Sequence, residues 1–144
     1  MWRVVRHHPQ RISRVSDHDV SPLIDGIVRT IKSNIRSVAR AYGRFYLGLT
    51  AGRDTRILLA CAKEVIDRIR FVTFDCRRLG KHRGYQLDLA ISTELARRLR
   101  LDHAVLPVDA VPELVQTDYL RRIGYAGGHG KARDFYFACE QNLD

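Results

Sequence analysis

Between residues 44 and 108 the chain alternates between two kinds of apolar run, and this alternation limits the fold more than any other feature. Short runs rich in β-branched and aromatic residues fall at 44–49, 70–75 and 103–108 and predict β-strands. The first two are separated by a turn at 50–55 and a helix running to about residue 68, with Leu58, Cys61, Ala62, Val65, Ile66 and Ile69 on one face. The second and third are separated by a charged, glycine-containing loop at 76–85 and a helix at 86–100, with Leu87, Ile91, Leu95 and Leu99 on its inner face. Strand, helix, strand, helix, strand at this spacing implies two crossover connections between parallel strands, with helices packed on the sheet. The predicted class is α/β: an open, mostly parallel, Rossmann-like sheet with helices on both faces. Ligands of such sheets bind beyond the carboxyl ends of the strands. The 50–55 turn and Asp75 both fall at that end.

The flanks are less regular. Residues 2–5 alternate weakly, as a short edge strand would, and 6–16 reads as a basic loop. A long amphipathic helix is expected from Ser21, as cap, with Pro22 in its first turn, to Tyr42 and Gly43. Its stripe of Val20, Ile24, Ile27, Ile31, Ile35 and Val38 reads as core or docking surface, opposite Arg29, Lys32, Arg36 and Arg40. This divides the chain into a basic segment with its helix, 1–43, and an α/β domain, 44–144. Beyond Pro107 a looser helix is expected at 111–123, a flexible loop at 124–131 and a short helix at 132–142. With no further strand run, the sheet is expected to be incomplete.

A chain of 144 residues with 45% hydrophobic and 28% charged residues suits one soluble domain. No run approaches the roughly 18–20 apolar residues of a membrane span. With no apolar signal segment at the N-terminus, a cytoplasmic protein without a membrane partner is expected. The three cysteines, Cys61, Cys76 and Cys139, form no C-x-x-C pair and read as reduced thiols. The net charge of +9 suits either a polyanionic partner or a solvated arginine-rich surface, since the charges are spread along the chain.

Leu49-Thr50-Ala51-Gly52-Arg53-Asp54-Thr55-Arg56 carries the chemistry. A strand that turns through small and hydroxyl residues into a helix aims backbone N–H groups and the positive end of the helix dipole at an anion. It is not a Walker A loop, which needs G-x-x-x-x-G-K-[ST]; at Gly130-Lys131, Tyr125 and Ala132 break that pattern. It is not a G-x-G-x-x-G dinucleotide turn either.

The turn resembles the S-G-G-x-D-[ST] pyrophosphate loop (PP-loop) of the N-type ATP pyrophosphatases, the adenine nucleotide alpha hydrolase-like superfamily. Among its branches the chain looks most like the synthetase domain of asparagine synthetases. Arg56 with Ile57-Leu58-Leu59-Ala60 follows the loop as it often does there. Asp88-Leu89-Ala90-Ile91-Ser92-Thr93-Glu94-Leu95-Ala96-Arg97-Arg98-Leu99 and His103 resemble its D-x-x-x-A-x-x-(L/V)-A-x-x-L…H run, with Ser92 for the first alanine. The resemblance covers residues 44–108 and, more loosely, 20 to the end. Thr50 and Ala51 depart from the loop's serine and first glycine, and the family's later acidic loop, G-E-G-x-D-E, has no clear counterpart. The glutaminase domain and the helical continuation are not in this sequence, so a C-terminally truncated synthetase domain is expected, with either part as a separate partner.

The resemblance implies an ATP-dependent carboxylate–amine ligase using ATP and Mg²⁺. Pyrophosphate would lie in the loop against Thr50, Ala51, Gly52, Arg53, Asp54 and Thr55. Asp54 would orient the loop or hold Mg²⁺, and Leu49, Thr73, Phe74 and Asp75 would hold the adenosine. A small carboxylate substrate would attack the α-phosphorus, and an amine would take the acyl-adenylate. Asp54 and Arg56 are the catalytic candidates; Arg53 and the cations Arg77, Arg78, Lys81 and Arg83 are at hand for the leaving pyrophosphate. Asp88 matches a family position. Each has a plainer reading: Asp54 as a first-turn carboxylate contributing about 0.3–1 kcal/mol, Phe74 as a core aromatic, Asp88 as a helix cap. Two other functions stand beside the ligase. A tRNA-modifying enzyme of the same superfamily fits the basic charge and gives nucleic acid as the secondary partner. A non-catalytic nucleotide-binding remnant fits the missing acidic loop.

Overall fold

Three parallel strands form one open sheet in the order β1-β2-β3, with β1 at Phe45–Gly48, β2 at Ile69–Asp75 and β3 at His103–Pro107. Leu47 pairs with Phe71, and Phe71 in turn with His103. The computed structural model describes residues 16–79, 83–112, 117–119, 121 and 130–143. Expectations for the strand at 2–5, the loop at 6–15, and most of 113–129 lie outside the described residues.

Helix α1 spans Asp17–Tyr42, four residues ahead of the expected start. Ser16, extended at φ −67° and ψ 151°, precedes it, and its hydroxyl donates to Asp19. Pro22 therefore sits in the second turn. The N–H it lacks would have met the His18 carbonyl, so one bond near the start of the helix is forgone. The helix ends at Gly43, whose φ of 71° suits glycine and whose N–H closes onto the Ala39 carbonyl at 3.0 Å.

Helix α2 spans Arg53–Cys61, and the chain continues as a 3-10 segment, Lys63–Arg68, with Val65 out of helical geometry at φ −130°. The apolar spacing read as one long helix survives this change. The kink at Val65 shifts the phase, so Val65 and Ile66 meet the core with Leu58 and Cys61 while Glu64 stays exposed. Helix α3 spans Arg83–Leu99, and helix α4 spans Gly130–Asn142. Residues 117–119 and 121 are helical.

Both crossovers step the same way across the sheet, and their helices share one face. Ile69 and Phe71 point into that layer and are buried with Ile35 of α1, Leu59 and Cys61 of α2 and Ala96 of α3. The opposite face carries Val72, Phe74, Leu106 and Val108 by strand alternation. Near the carboxyl ends, Phe135 and Ala138 of α4 cover it beside Cys76 and Val108. Helices thus lie on both faces, unevenly, and Tyr46 at the other end of β1 is exposed.

Two apolar stripes are only partly buried. On α1, Ile35 is buried and Val28 and Ile31 pack beside it, but Val20, Leu23, Ile24 and Ile27 are exposed. On α3, Leu87 and Leu99 are 57% and 53% exposed, while Ser92 and Ala96 are 0% and 6%. The inner face of α3 is rotated by about one residue, to Asp88, Ser92 and Ala96, which recur every four residues. Small side chains at these positions let the helix approach the sheet closely.

Candidate functional site

The entry to the turn is held from below by three strands. Thr73 on β2 is 1% exposed, and its hydroxyl donates to the Leu49 carbonyl at 2.7 Å. A threonine has one proton to give, so its contact of 2.8 Å with His103 Nε2 is one in which the imidazole N–H donates. That places the His103 proton on Nε2. Burial holds the imidazole below its ordinary pKa, against the upward pull of Asp102. Leu49 is fully buried, and its N–H bonds the Val72 carbonyl at 2.8 Å. Its side chain and both backbone polar groups belong to the scaffold.

The turn itself is knotted by its two hydroxyls. Thr55 Oγ1 accepts the Thr50 N–H at 3.2 Å, Thr50 Oγ1 accepts the Gly52 N–H at 3.0 Å, and the hydroxyls touch at 3.0 Å. One hydroxyl proton closes that contact. Otherwise Thr55 Oγ1 has only long contacts of 3.3 Å to the carbonyls of Thr50 and Gly52. A Cβ on Gly52 would come within 3.1 Å of Thr50 Oγ1, so the tight turn favours glycine there.

Asp88 reaches the turn from α3: its carboxylate accepts the Ala51 N–H at 2.8 Å. The amides of Thr50, Ala51 and Gly52 are thereby satisfied within the protein. Gly52 caps α2 without a side-chain hydrogen bond to the helix. An anion would therefore meet α2's first turn, at Arg53, Asp54 and Thr55, more readily than the loop amides before it.

Next to the turn lies a cleft of about 190 Å³ lined by Thr50, Thr73, Phe74, Tyr85, Asp88 and Phe135. It has a polar end, made by Thr50 and Asp88, and an aromatic end. The rings of Phe74 and Phe135 lie 4.0 Å apart and 4° from parallel. Four residues singled out in the sequence, Thr50, Thr73, Phe74 and Asp88, meet here. Tyr85 and Phe135 were not foreseen. Tyr85 lies three residues before Asp88, one helical turn away on the same side, and that spacing was a usable signal. For Phe135 the only sequence signal was the aromatic run Phe135-Tyr136-Phe137.

Other candidates lie elsewhere. Arg53 and Arg56 line a separate shallow groove with Ile57 and Ala60, and Arg56 Nε donates to the Gly52 carbonyl at 3.2 Å. Asp75 is turned onto Arg77, whose Nε lies 2.8 and 2.9 Å from its two oxygens. The Arg77 guanidinium holds that carboxyl below its usual pKa. Arg78 pairs with Asp109 at 2.9 Å. These two arginines neutralise carboxylates and do not line the cleft; Lys81 is outside the described residues. Asp54, exposed in α2's first turn, makes no ion pair among the described residues.

Among the described residues no group of three or more His, Cys, Asp or Glu side chains is placed to hold a metal. Mg²⁺ that arrives with phosphates needs only one or two carboxylates, with phosphate oxygens and waters completing its shell. An exposed Asp54 fits that demand. Cys61, Cys76 and Cys139 form no disulfide among the described residues. No helix among the described residues is long and apolar enough to cross a membrane. No model of a known protein family matches the chain, and none of the curated proteins is significantly similar to it.

Proposed function

We propose that this chain binds ATP with its pyrophosphate end at the 50–55 turn and its base in the adjoining cleft. The observation that carries the reading is a cleft at the carboxyl ends of the strands that joins the Thr50 hydroxyl, in the turn leading to α2, to an aromatic wall. A ligand with an anionic tail and a flat apolar head suits both ends. The cleft is smaller than the roughly 300–1,000 Å³ of a typical ligand pocket. It takes the base and part of the sugar, while the phosphates lie over α2's first turn.

The resemblance to asparagine synthetases supplies the reaction: transfer of the adenylyl group to a carboxylate, release of pyrophosphate, then amide formation. Asp54 would hold Mg²⁺, which when bound screens the charge on the departing pyrophosphate. Thr50 and Thr55 would orient phosphate oxygens, and the Thr73–His103 pair would keep the turn in place. Nucleotide binding without catalysis is the second reading. Its support is that Arg77 and Arg78 are committed to Asp75 and Asp109, away from any leaving group.

Calorimetric titration with Mg·ATP tests binding. Asp54→Ala should weaken it about tenfold or more, as loss of a charged contact worth about 1.5–3 kcal/mol does, with an unchanged circular dichroism spectrum. Equal affinity in the variant removes the turn from the site. ATP–pyrophosphate exchange then separates the readings: the ligase exchanges with a carboxylate present, and the binding module does not.

A further inference from the structure

We infer that Phe135, carried by α4, is a base-stacking side chain for the bound nucleotide. This rests on the ATP reading above and adds a fourth element to a site that the resemblance builds from the strands, the turn and α3.

Three observations carry it. First, Phe135 reaches the cleft from α4, although its neighbours in the cleft come from β1's exit, β2 and α3. Second, its ring lies face to face with that of Phe74, 4.0 Å away and 4° from parallel, so the two rings form one stack at the carboxyl end of β2. Third, Thr73, next to Phe74 on β2, is already bonded to Leu49 and His103, while Thr50 and Asp88 lie at the polar end. What the aromatic end offers a ligand is therefore ring surface, from Phe74, Tyr85 and Phe135. Flat aromatic walls bind bases by stacking, a contact indifferent to the phosphates. A turn that takes the phosphates and a ring wall that takes the base divide the ligand between them, and Phe135 belongs wholly to the second part.

The fixing of α4 follows from the same packing. Ala138, one turn beyond Phe135, is 2% exposed and packs with Cys76 and Val108, just past the ends of β2 and β3. The helix is thus seated on the strand ends, with Phe135 at the cleft.

The test compares two probes on the full chain, Mg·ATP and inorganic tripolyphosphate with Mg²⁺, by calorimetry. Phe135→Leu keeps an apolar side chain of similar bulk in the α4 packing but removes the ring. It should weaken ATP about five- to tenfold, the loss of one base-stacking contact, and leave tripolyphosphate unchanged. Phe135→Tyr, which keeps the ring, should restore ATP binding to within about twofold of the original. ATP and tripolyphosphate weakened alike in Phe135→Leu would make Phe135 a packing residue and overturn the assignment. Unchanged ATP affinity would overturn it too. Failure of the unaltered chain to bind ATP at all would remove the ATP reading, and this inference with it; intact ATP binding with a silent Phe135 removes only the inference.

Discussion

Thr73→Val isolates the contact that ties the turn to the sheet. The substitution exchanges a hydroxyl for a methyl at a position 1% exposed, with almost no change of shape. It deletes the 2.7 Å bond to the Leu49 carbonyl and the 2.8 Å bond from His103 Nε2. A buried carbonyl that loses its partner costs about 1–3 kcal/mol. The His103 N–H adds less, because the ring is half-buried and can turn its proton toward water. The extra buried methyl returns about 0.8 kcal/mol. The net loss is about 1–2 kcal/mol, which at a urea slope of about 2 kcal/mol/M lowers the unfolding midpoint by roughly 0.5–1 M. Equilibrium urea unfolding followed by circular dichroism measures it. A double-mutant cycle with His103→Ala should show coupling of about 0.5 kcal/mol or more between the two sites. A Thr73→Val midpoint within 0.2 M of the original, roughly 0.4 kcal/mol on that slope, would mean that the Leu49 carbonyl does not depend on Thr73. The account of how the turn is held would then fail.

Two further outcomes are expected. Leu87→Gln should change stability by less than about 0.5 kcal/mol, as at an ordinary surface site, whereas Ala96→Leu should cost about 1–3 kcal/mol by overpacking; urea unfolding that reversed this order would refute the observed rotation of α3. The pH dependence has two parts. His103 binds its proton more weakly in the folded chain, so stability is full above the unfolded value of about 6.5 and declines as pH falls through the lower folded value. The carboxylates act lower: Arg97 and Arg98 hold Glu94 at about 2, and Arg77 lowers Asp75, so their contribution is present above about 4.5 and is lost as pH falls toward 2. Urea midpoints measured across pH should show both declines, and His103→Gln should abolish the upper one alone.

The alternation of apolar runs between residues 44 and 108 was enough to determine three parallel strands joined by helical crossovers, because chain connectivity leaves few other ways to bury those runs. It also placed Thr50, Thr73, Phe74 and Asp88 at one end of the sheet, since strand ends and the helices that follow them are local consequences of pattern. Periodicity says that a side chain points inward, however, and not what it meets. Only the tertiary structure turned Ser92 and Ala96 inward in place of Leu87 and Leu99, because closeness of approach between helix and sheet is decided across the interface. Only it joined His103, Thr73 and the Leu49 carbonyl across three strands. Phe135 is the extreme case. Its place on Phe74 depends on how α4 docks against Cys76 and Val108, a long-range packing choice with no trace in local spacing. The turn could be read from the chain in order; the wall beside it exists only once distant segments have met.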